Sequence, residues 1–383
     1  MAAAERQQNI LPQNYNLKLG PATMSASTGV SVEFNDNISL AENHRESDLI
    51  IRPEIRLNTE WRMSTLNTLR LTLGAGVAEY LNHSEFSNRT ILVDPGSEIS
   101  FNVYLGDFVR LNFHDRLSIV RNPIDEPALS NAVNFDRLQN AAGVTAFLDF
   151  DQLKFLFGYD HFDYQAIGSE FKFLNHREEQ FFSEAMLQIS EALNTGVDGS
   201  FGLINYDEGF NNNGLEWSAG PFVEATLSRF TKVRITGGVQ GMAFDDNGTN
   251  GDHSDLTGWY GSLTVSHRFN QYWSHALTVG HEAQLGLTTN YVDYTYARYV
   301  ADWRMNQRIH FSFEGFLGNA DESGGTTTLS ENSFRWGAGV STGYAMNSRL
   351  SLSLQYRYVN KDSNLPLRSY YQNSLVLSAS YNF

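Results

Sequence analysis

The sequence predicts an all-β protein: a single transmembrane antiparallel up-and-down β-barrel of about 18 strands, with 16 as the alternative count. Two patterns carry this prediction. Apolar and polar residues alternate with a period of two in one segment after another, and the connections between these segments are alternately short and long. No stretch reaches the roughly 18 consecutive apolar residues that a membrane-spanning helix needs. A membrane barrel conceals its apolar residues in the alternation, which agrees with a mean hydropathy of −0.35.

The C-terminal segment shows the alternation most clearly. Leu375, Leu377 and Tyr381 alternate with polar residues, and the chain ends on an aromatic residue, Phe383. This is the period of a β-strand with one wet face and one apolar face. A soluble β-sandwich, the alternative, would cover the apolar face with more protein. The ending resembles the C-terminal sorting strand of bacterial outer-membrane barrels, and this resemblance implies that Phe383, Tyr381 and Leu377 form an insertion signal.

The same pattern recurs along the chain. In residues 350–359 the even positions are apolar, while Ser351, Ser353, Gln355 and Arg357 occupy the odd ones. Segments of this kind have the length of tilted membrane strands and do not fit helical spacing. Strands are therefore predicted near residues 22–35, 47–62, 68–81, 97–105, 109–121, 141–149, 153–164, 178–191, 196–206, 214–227, 232–244, 256–268, 272–286, 291–304, 308–318, 329–345, 349–359 and 367–383.

The connections sort into two classes that alternate. Short ones such as 106–108 and 269–271 are followed by longer polar ones such as 122–139 and 245–255, although the connection near residues 288–291 is short for its class. An up-and-down membrane barrel has this arrangement, with turns on the periplasmic rim and loops outside. Residues 1–20 show no periodicity and are predicted to be a periplasmic tail or a segment that enters the lumen. Residues 21–383 are predicted to be the barrel.

Composition narrows the function classes. The 383 residues include no Cys, which removes disulfides and thiolate metal sites from consideration. The formal net charge is −16, from 43 acidic and 27 basic residues, so no nucleic-acid partner is expected. The segment that begins at Met1 lacks the apolar core of a signal peptide. We therefore expect a mature chain in the bacterial outer membrane.

Alternation also assigns charged side chains to the lumen. Burial of so many charges without partners would cost several kcal/mol each, so the lumen is predicted to be wet or densely ion-paired. Two interpretations stay open: an arginine-rich wall that faces a glutamate-rich wall, with a transverse field resembling that of general porins, or local ion pairs that brace the wall. The predicted basic wall is Arg52, Arg56, Arg62, Arg70, Arg110, Arg116, Arg335 and Arg357. The predicted acidic wall is Glu184, Glu216, Glu224, Glu282 and Glu314.

The longest loop, residues 122–139, is the candidate constriction of the lumen. A barrel of this strand number is too wide for wall side chains to fill, and the apolar residues of this loop need cover that open solvent does not offer. Its predicted constriction residues are Asp125, Glu126, Phe135 and Asp136. The alternative is a loop that caps the outer mouth or contacts a neighbouring protomer.

Other chemistry has weak support in the sequence. The His161 cluster with Asp160 and Asp163 lacks the pattern of a catalytic site, so no enzyme activity is predicted. The loop 245–255 has oxygen ligands for Ca²⁺, but its spacing is not that of an EF-hand and a solvated hairpin tip is favoured. No cofactor and no metal are predicted.

The segment Gly29-Val-Ser-Val-Glu-Phe-Asn-Asp-Asn37 and the Phe383 ending make the whole chain resemble the β-barrel porin families of Gram-negative bacteria, most closely those grouped as β-barrel porin 2. The resemblance implies a passive channel for hydrophilic solutes or ions. An exporter of surface polysaccharide and a non-conducting structural or adhesive barrel are the alternatives. The expected partners are outer-membrane lipid and lipopolysaccharide and the barrel-assembly machinery. A periplasmic export partner belongs to the exporter hypothesis, and a homo-oligomer stays open.

Overall fold

The computed structural model describes residues 15–87, 90–126, 128–133, 135–325 and 328–383. These residues form 21 strands and three short 3₁₀ helices. The strands are β1 Leu17–Leu19, β2 Ala22–Asn35, β3 Asp48–Arg62, β4 Asn67–Gly76, β5 Glu79–Tyr80, β6 Leu92–Val93, β7 Glu98–Leu105, β8 Val109–Val120, β9 Arg137–Phe150, β10 Leu153–Ala166, β11 His176–Ser190, β12 Leu193–Tyr206, β13 Gly214–Ser228, β14 Thr231–Phe244, β15 Leu256–Arg268, β16 Trp273–Leu285, β17 Tyr291–Arg304, β18 Ile309–Glu322, β19 Asn332–Ala345, β20 Leu350–Ser363 and β21 Tyr370–Asn382. The 3₁₀ helices are η1 Ser84–Phe86, η2 Pro123–Asp125 and η3 Ser169–Leu174. Within the described residues, no helix is long and apolar enough to cross a bilayer.

The strands form one closed antiparallel barrel. Each strand from β8 to β20 pairs with the strands before and after it in the chain, and β21 pairs with β2, which closes the sheet. Two barrel strands are interrupted, one into β4 and β5 and the other into β6 and β7, so the barrel has 18 strands. The prediction of an 18-strand up-and-down barrel is confirmed.

Alternation gives the barrel two chemically different faces. Register places Leu354 beside Leu377 on one face, and Ser353 beside Ser378 on the other. Leu354 and Leu377 are exposed, as are large apolar residues on every full-length strand. A continuous apolar surface of this kind is stable against lipid and not against water. The face that carries Leu354 is therefore the lipid face, and the face that carries Ser353 is the lumen face.

The two rims of the barrel differ in their connections. One rim, the short-turn rim, carries connections of two to four residues, such as 106–108 and 151–152. The other, the long-loop rim, carries longer connections, including 121–136 and 245–255. The connection 286–290 is the shortest on that rim, as its sequence indicated. The predicted alternation of short and long connections is present throughout.

One predicted strand, 68–81, is broken in the structure. The chain leaves the ladder after Gly76 and returns as β5. Near the end of β4, the side chain of Asp94 lies against the lumen side of Gly74. A Cβ atom at Gly74 would lie 2.2 Å from Asp94 Oδ2. Alternation alone does not reveal such a contact between a strand and a loop.

The N-terminal segment completes the seam between the first and last barrel strands. β1 pairs with Ala22–Met24, directly beyond the point where β21 ends on the same edge of β2. The amide of Phe383 donates to Ala26 O at 3.1 Å, and the Asn16 side chain donates to both Ala26 O and Phe383 O. Residues 15–19 of the expected tail thus follow the wall, while residues 1–14 lie outside the described residues.

Candidate functional site

Register places all the predicted basic and acidic wall residues on the lumen face. In each strand pair they lie opposite other lumen residues, as Arg56 lies opposite Ser27 and Gly74, and Glu184 opposite Leu156 and Asp198. The basic residues occupy β3, β4, β8, β19 and β20, and the acidic ones occupy β11, β13, β16 and β18. Their part in solute passage belongs to the proposals below.

Most early arginines have acidic partners within the wall. Arg56 contacts Glu54 at 3.2 Å and Asp94 at 3.1 Å, and Arg52 pairs with Glu33. These acids were not among the predicted wall residues. They were visible in the sequence, because Glu33 and Glu54 follow the same alternation as the arginines.

The same pairing continues along the wall. Glu60 accepts from Arg62 at 2.8 Å and from Arg70 at 3.2 Å, and Arg116 contacts Glu98 at 3.1 Å. Ion pairs at such partly exposed positions contribute roughly 0–1 kcal/mol each to stability. Their larger effect is on the local potential, because each pair offsets the charge of one arginine.

Arg110 differs from the other early arginines. Its guanidinium lies 4.1 Å from the ring centroid of Phe147, and no ion pair to it occurs among the described residues. Stacking on an aromatic face leaves the charge of the guanidinium uncancelled.

The acidic wall contains two bridged groups. Arg234 lies between Glu184, at 3.2 Å, and Glu224, so one cation serves two carboxylates. On the adjacent stretch of wall, the Tyr260 hydroxyl donates to Asp198 at 2.7 Å. Sequence analysis had not named Arg234 or Asp198. Alternation places both on the lumen face. Arg234 is a basic residue within the acidic wall, and Asp198 is an aspartate, whereas the predicted acidic wall consists of glutamates.

Counted by register, the lumen charges separate into two sectors. β9, which lies between them, carries one basic and one acidic lumen residue, Arg137 and Asp149, and is counted in neither. The acidic sector comprises β10–β16, residues 153–285, all of which the structure describes, and its lumen face carries seven acids and four basic residues. The acids are Asp160, Glu178, Glu184, Asp198, Glu216, Glu224 and Glu282. The basic residues are Lys154, Lys232, Arg234 and Arg268, and all except Arg234 lie within two residues of the short-turn rim.

The basic sector comprises β17–β21 and β2–β8 and lies across the barrel from the acidic sector. The lumen face of its strands carries eleven basic residues and eight acids. The basic residues are Arg52, Arg56, Arg62, Arg70, Arg110, Arg116, Arg298, Arg304, Arg335, Arg357 and Lys361. The acids are Glu33, Asp48, Glu54, Glu60, Glu98, Asp302, Glu314 and Glu322. The basic sector therefore carries an excess of three positive charges, and the acidic sector carries an excess of three negative charges.

The loop of residues 121–136, here called the lumen loop, packs against the lumen face of distant strands. Ile124 is buried in a cluster with Leu40, Val359 and Tyr370, against which Phe316 packs. Val359, Tyr370 and Phe316 are lumen-facing residues of β20, β21 and β18, whereas the loop itself connects β8 and β9. The loop therefore crosses the inside of the barrel.

Polar contacts fix the lumen loop to the opposite wall. Lys361 Nζ donates to Ala128 O at 3.2 Å, and the Arg335 guanidinium donates to Ile124 O. Asn131 Nδ2 donates to Leu367 O at 2.7 Å. Because Lys361 and Arg335 are buried, these bonds replace the water that the charged groups would otherwise need.

The predicted constriction residues have different places within this loop. Phe135 is fully buried with its ring 4.8 Å from that of Phe171, and Asp136 is buried in an ion pair with Arg121 at 2.7 Å. These two residues hold the loop in place and do not line an open passage. Glu126 is half-buried, and the side chain of Asp125 lies outside what the structure describes.

The predicted insertion signal lies on the lipid face at the short-turn rim. Phe383 is 60% exposed, and Leu377 and Tyr381 share its face. The ring of Phe383 lies 5.5 Å from that of Tyr381 in an edge-on arrangement. The terminal aromatic is thus available at the surface and is not part of a protein core.

The loop 245–255 is mostly exposed, as its sequence indicated, but Asn250 and Asp252 within it are buried. Asp252 is fully buried and accepts hydrogen bonds from the Asn290 amide at 2.9 Å and the Ser323 hydroxyl at 2.6 Å. Burial acts to raise the pKa of Asp252, but the bonds from Asn290, Ser323 and Ser254 together hold that pKa below its usual value. The carboxylate joins three long loops, and the described residues contain no group of ligands arranged for a metal ion.

The His161 cluster lies on the lipid face towards the long-loop rim. His161 contacts Glu179 at 2.9 Å and Asp163 at 3.3 Å, while Asp160 points into the lumen and pairs with His114. The Asp–His–Asp sequence therefore does not form one site, because neighbouring residues of a strand project to opposite faces.

Comparison with solved structures places the fold among bacterial porins. Pseudomonas aeruginosa OccK2 (OpdF), solved in complex with glucuronate, superposes with a TM-score of 0.56 at 10% identity, over 97% of this chain and 100% of that one. A BenF-like porin from Pseudomonas fluorescens Pf-5 gives 0.56 at 9% identity, over 95% and 100%. Acinetobacter baumannii OccAB4 gives 0.52 at 11% identity, over 94% and 98%.

The chain has the 18-strand porin fold. Its lipid face and closed sheet are those of a bacterial outer-membrane barrel. Neither a protein-family model nor a curated protein sequence matches the chain. The narrower grouping as β-barrel porin 2 therefore stays a prediction.

Proposed function

We propose that this protein is an outer-membrane channel through which small hydrophilic solutes and ions pass without energy input. The observation that carries the proposal is the combination of an apolar lipid face with a lumen face that carries charge on every side. Side chains cannot fill an 18-strand barrel, and wall charges in this number require water or partners. The solved porins support this proposal over polysaccharide export and over a non-conducting barrel.

The lumen loop is the selectivity element of the proposed channel. It brings protein into the part of the lumen that the wall leaves open, and its anchors Arg335 and Lys361 belong to the basic sector. Solutes would pass between this loop and the acidic sector. The predicted walls, Arg52 to Arg357 and Glu184 to Glu314, would then act through their excess charge, because most individual ions are locally paired.

Cysteine scanning tests the proposal directly, because the native chain contains no Cys. Ser378 lies on the lumen face and its neighbour Ala379 on the lipid face, at the same height in β21. Each is replaced by Cys, the protein is reconstituted in a planar bilayer, and a charged methanethiosulfonate reagent is added. We expect steady conductance that falls in Ser378→Cys and not in Ala379→Cys.

Two results would contradict the proposal. Folded protein, shown by heat-modifiable migration on gels, that gives no conductance would leave a structural barrel as the better explanation. Equal block of both cysteine variants would mean that ions do not follow the lumen face.

A further inference from the structure

A small cavity lies among the long loops, beside the lumen loop. Its volume is about 230 Å³. Its walls are largely apolar and come from three connections: Leu129 from the lumen loop, Phe171 and Phe173 from η3, and Leu287 from residues 286–290. The cavity is somewhat smaller than the roughly 300–1,000 Å³ of pockets for drug-sized ligands, so it fits a compound with a single ring.

One carboxylate in this cavity makes no hydrogen bond and no ion pair among the described residues. Glu322 is 6% exposed and lines the cavity, yet its side chain makes no hydrogen bond or ion pair within the described parts of the chain. The two nearby cations are used elsewhere, because Glu331 contacts Lys361 at 3.0 Å and Arg368 at 2.8 Å. The carboxylate oxygens of Glu322 are not fully enclosed by protein atoms, so they are accessible from the cavity that Glu322 lines.

An acid in these surroundings favours a cationic ligand. A buried carboxylate without a hydrogen-bond donor is costly, and an ammonium group supplies both charge and donors. The rings of Phe171 and Phe173 provide apolar contact for the rest of the ligand and attract a cation at their faces. A carboxylate ligand without an ammonium group, by contrast, would supply no donor to Glu322.

We propose that this cavity is a binding site for small solutes in which an ammonium group is attached to an apolar or aromatic body. The ammonium donates to the Glu322 carboxylate, and the body packs against Leu129, Phe171 and Phe173. A primary amine and an apolar α-amino acid share this chemistry. The amino acid would also place its carboxylate towards Arg368, which lines the same cavity. That such solutes then enter the lumen rests on the proposed channel function, whereas binding does not.

Calorimetric titration of the folded barrel in detergent tests the site with three probes of one shape. We expect phenethylamine and L-phenylalanine to bind at least tenfold more tightly than 3-phenylpropionate, which lacks the ammonium. Glu322→Gln should weaken both by at least tenfold. The matched control is Glu79→Gln, which neutralises an exposed acid of the same rim outside the cavity and should change nothing.

The probes also distinguish a site for primary amines from a site for α-amino acids. Tighter binding of phenylalanine than of phenethylamine, lost in Arg368→Met, identifies an amino-acid site, and the reverse order identifies an amine site. Equal binding of all three probes, no binding by wild-type protein, or an unchanged affinity in folded Glu322→Gln would overturn the proposal. If a variant does not fold, the comparison of the three probes on wild-type protein still tests the proposal. Conductance of the same preparation separates this result from the channel proposal, since either can fail alone.

Discussion

A single arginine placed on alternate faces of β20 tests the face assignment on which every proposal here depends. Leu354 lies on the lipid face opposite Leu377 and Thr342, and is 43% exposed. Gln355, the next residue, lies on the lumen face opposite Ser341 and Val376. Leu354→Arg and Gln355→Arg therefore introduce the same side chain, one peptide apart, into lipid and into the lumen.

The expected difference is large. Leu354 lies between two lipid-facing tyrosines, Tyr356 two residues further along β20 and Tyr381 opposite Leu350 at the start of the strand, so it lies within the apolar belt. An arginine at the bilayer midplane of a barrel costs roughly 2–4 kcal/mol. At about 1.4 kcal/mol per factor of ten, the folding equilibrium should fall roughly 30- to 700-fold. In the lumen, substitution at an exposed polar position should stay within about 0.5 kcal/mol.

Urea titration of both variants in phospholipid vesicles, followed by tryptophan fluorescence, measures this difference. The fraction of heat-modifiable protein on gels gives a second, independent readout of folding. Equal destabilisation by both substitutions would refute the assignment of faces. Greater loss from Gln355→Arg would mean that the two faces are reversed.

Three further predictions follow from other parts of the barrel. Deletion of Phe383 should abolish assembly in cells without reducing synthesis, and surviving heat-modifiable protein would contradict its role as an insertion signal. Asp252→Asn should weaken the join between the long loops by about 1–3 kcal/mol, seen as faster protease cleavage in residues 245–255 with the barrel intact. Because the pKa of Asp252 is depressed, its contribution is fully present above the ordinary pKa of 3.8 and should be lost in wild-type protein as pH falls through the depressed pKa of the folded state. Protection that persists once Asp252 is protonated would contradict the assignment. Replacement of Arg56 and Arg110 by Ala should move the reversal potential in a KCl gradient towards cation preference, and more so at low salt; unchanged selectivity would show that these charges are cancelled within the wall.

The sequence predicted the barrel well because alternation is a local signal. The polar residues on either side of Leu350, Leu352 and Leu354 are enough to assign these leucines to the lipid face. A closed antiparallel sheet keeps each residue on the same face as its partners on the neighbouring strands. The long segments of β10–β16 were accordingly located to within a few residues. The break between β4 and β5 was missed because the alternation runs on through Val77, one residue past the end of β4.

The site was less predictable for the same physical reason. Alternation places Arg56 and Glu54 on the lumen face but does not say that their charges meet, since contact depends on register and side-chain conformation. Nor does it show that Asp252, in a loop rich in Asp and Asn, is buried by three other loops. In the sequence, Glu322 is one more lumen acid, at the end of β18. Only the structure shows that Lys361 and Arg368 both pair with Glu331, so that Glu322 is left without an ion pair.

Local pairing and a transverse field are compatible in this lumen. The fields of the two charges in an ion pair such as Arg116 with Glu98 largely cancel at distances longer than their separation. A solute therefore responds to the excess charge of each sector. Salt screens these excess charges within about 8 Å at physiological ionic strength, whereas an 18-strand barrel is roughly 35 Å across. A solute therefore senses mainly the wall it is near. The lumen loop narrows the distance between the two sectors, so a solute that carries both charges should pass with its cationic end towards β10–β16 and its anionic end towards the basic sector.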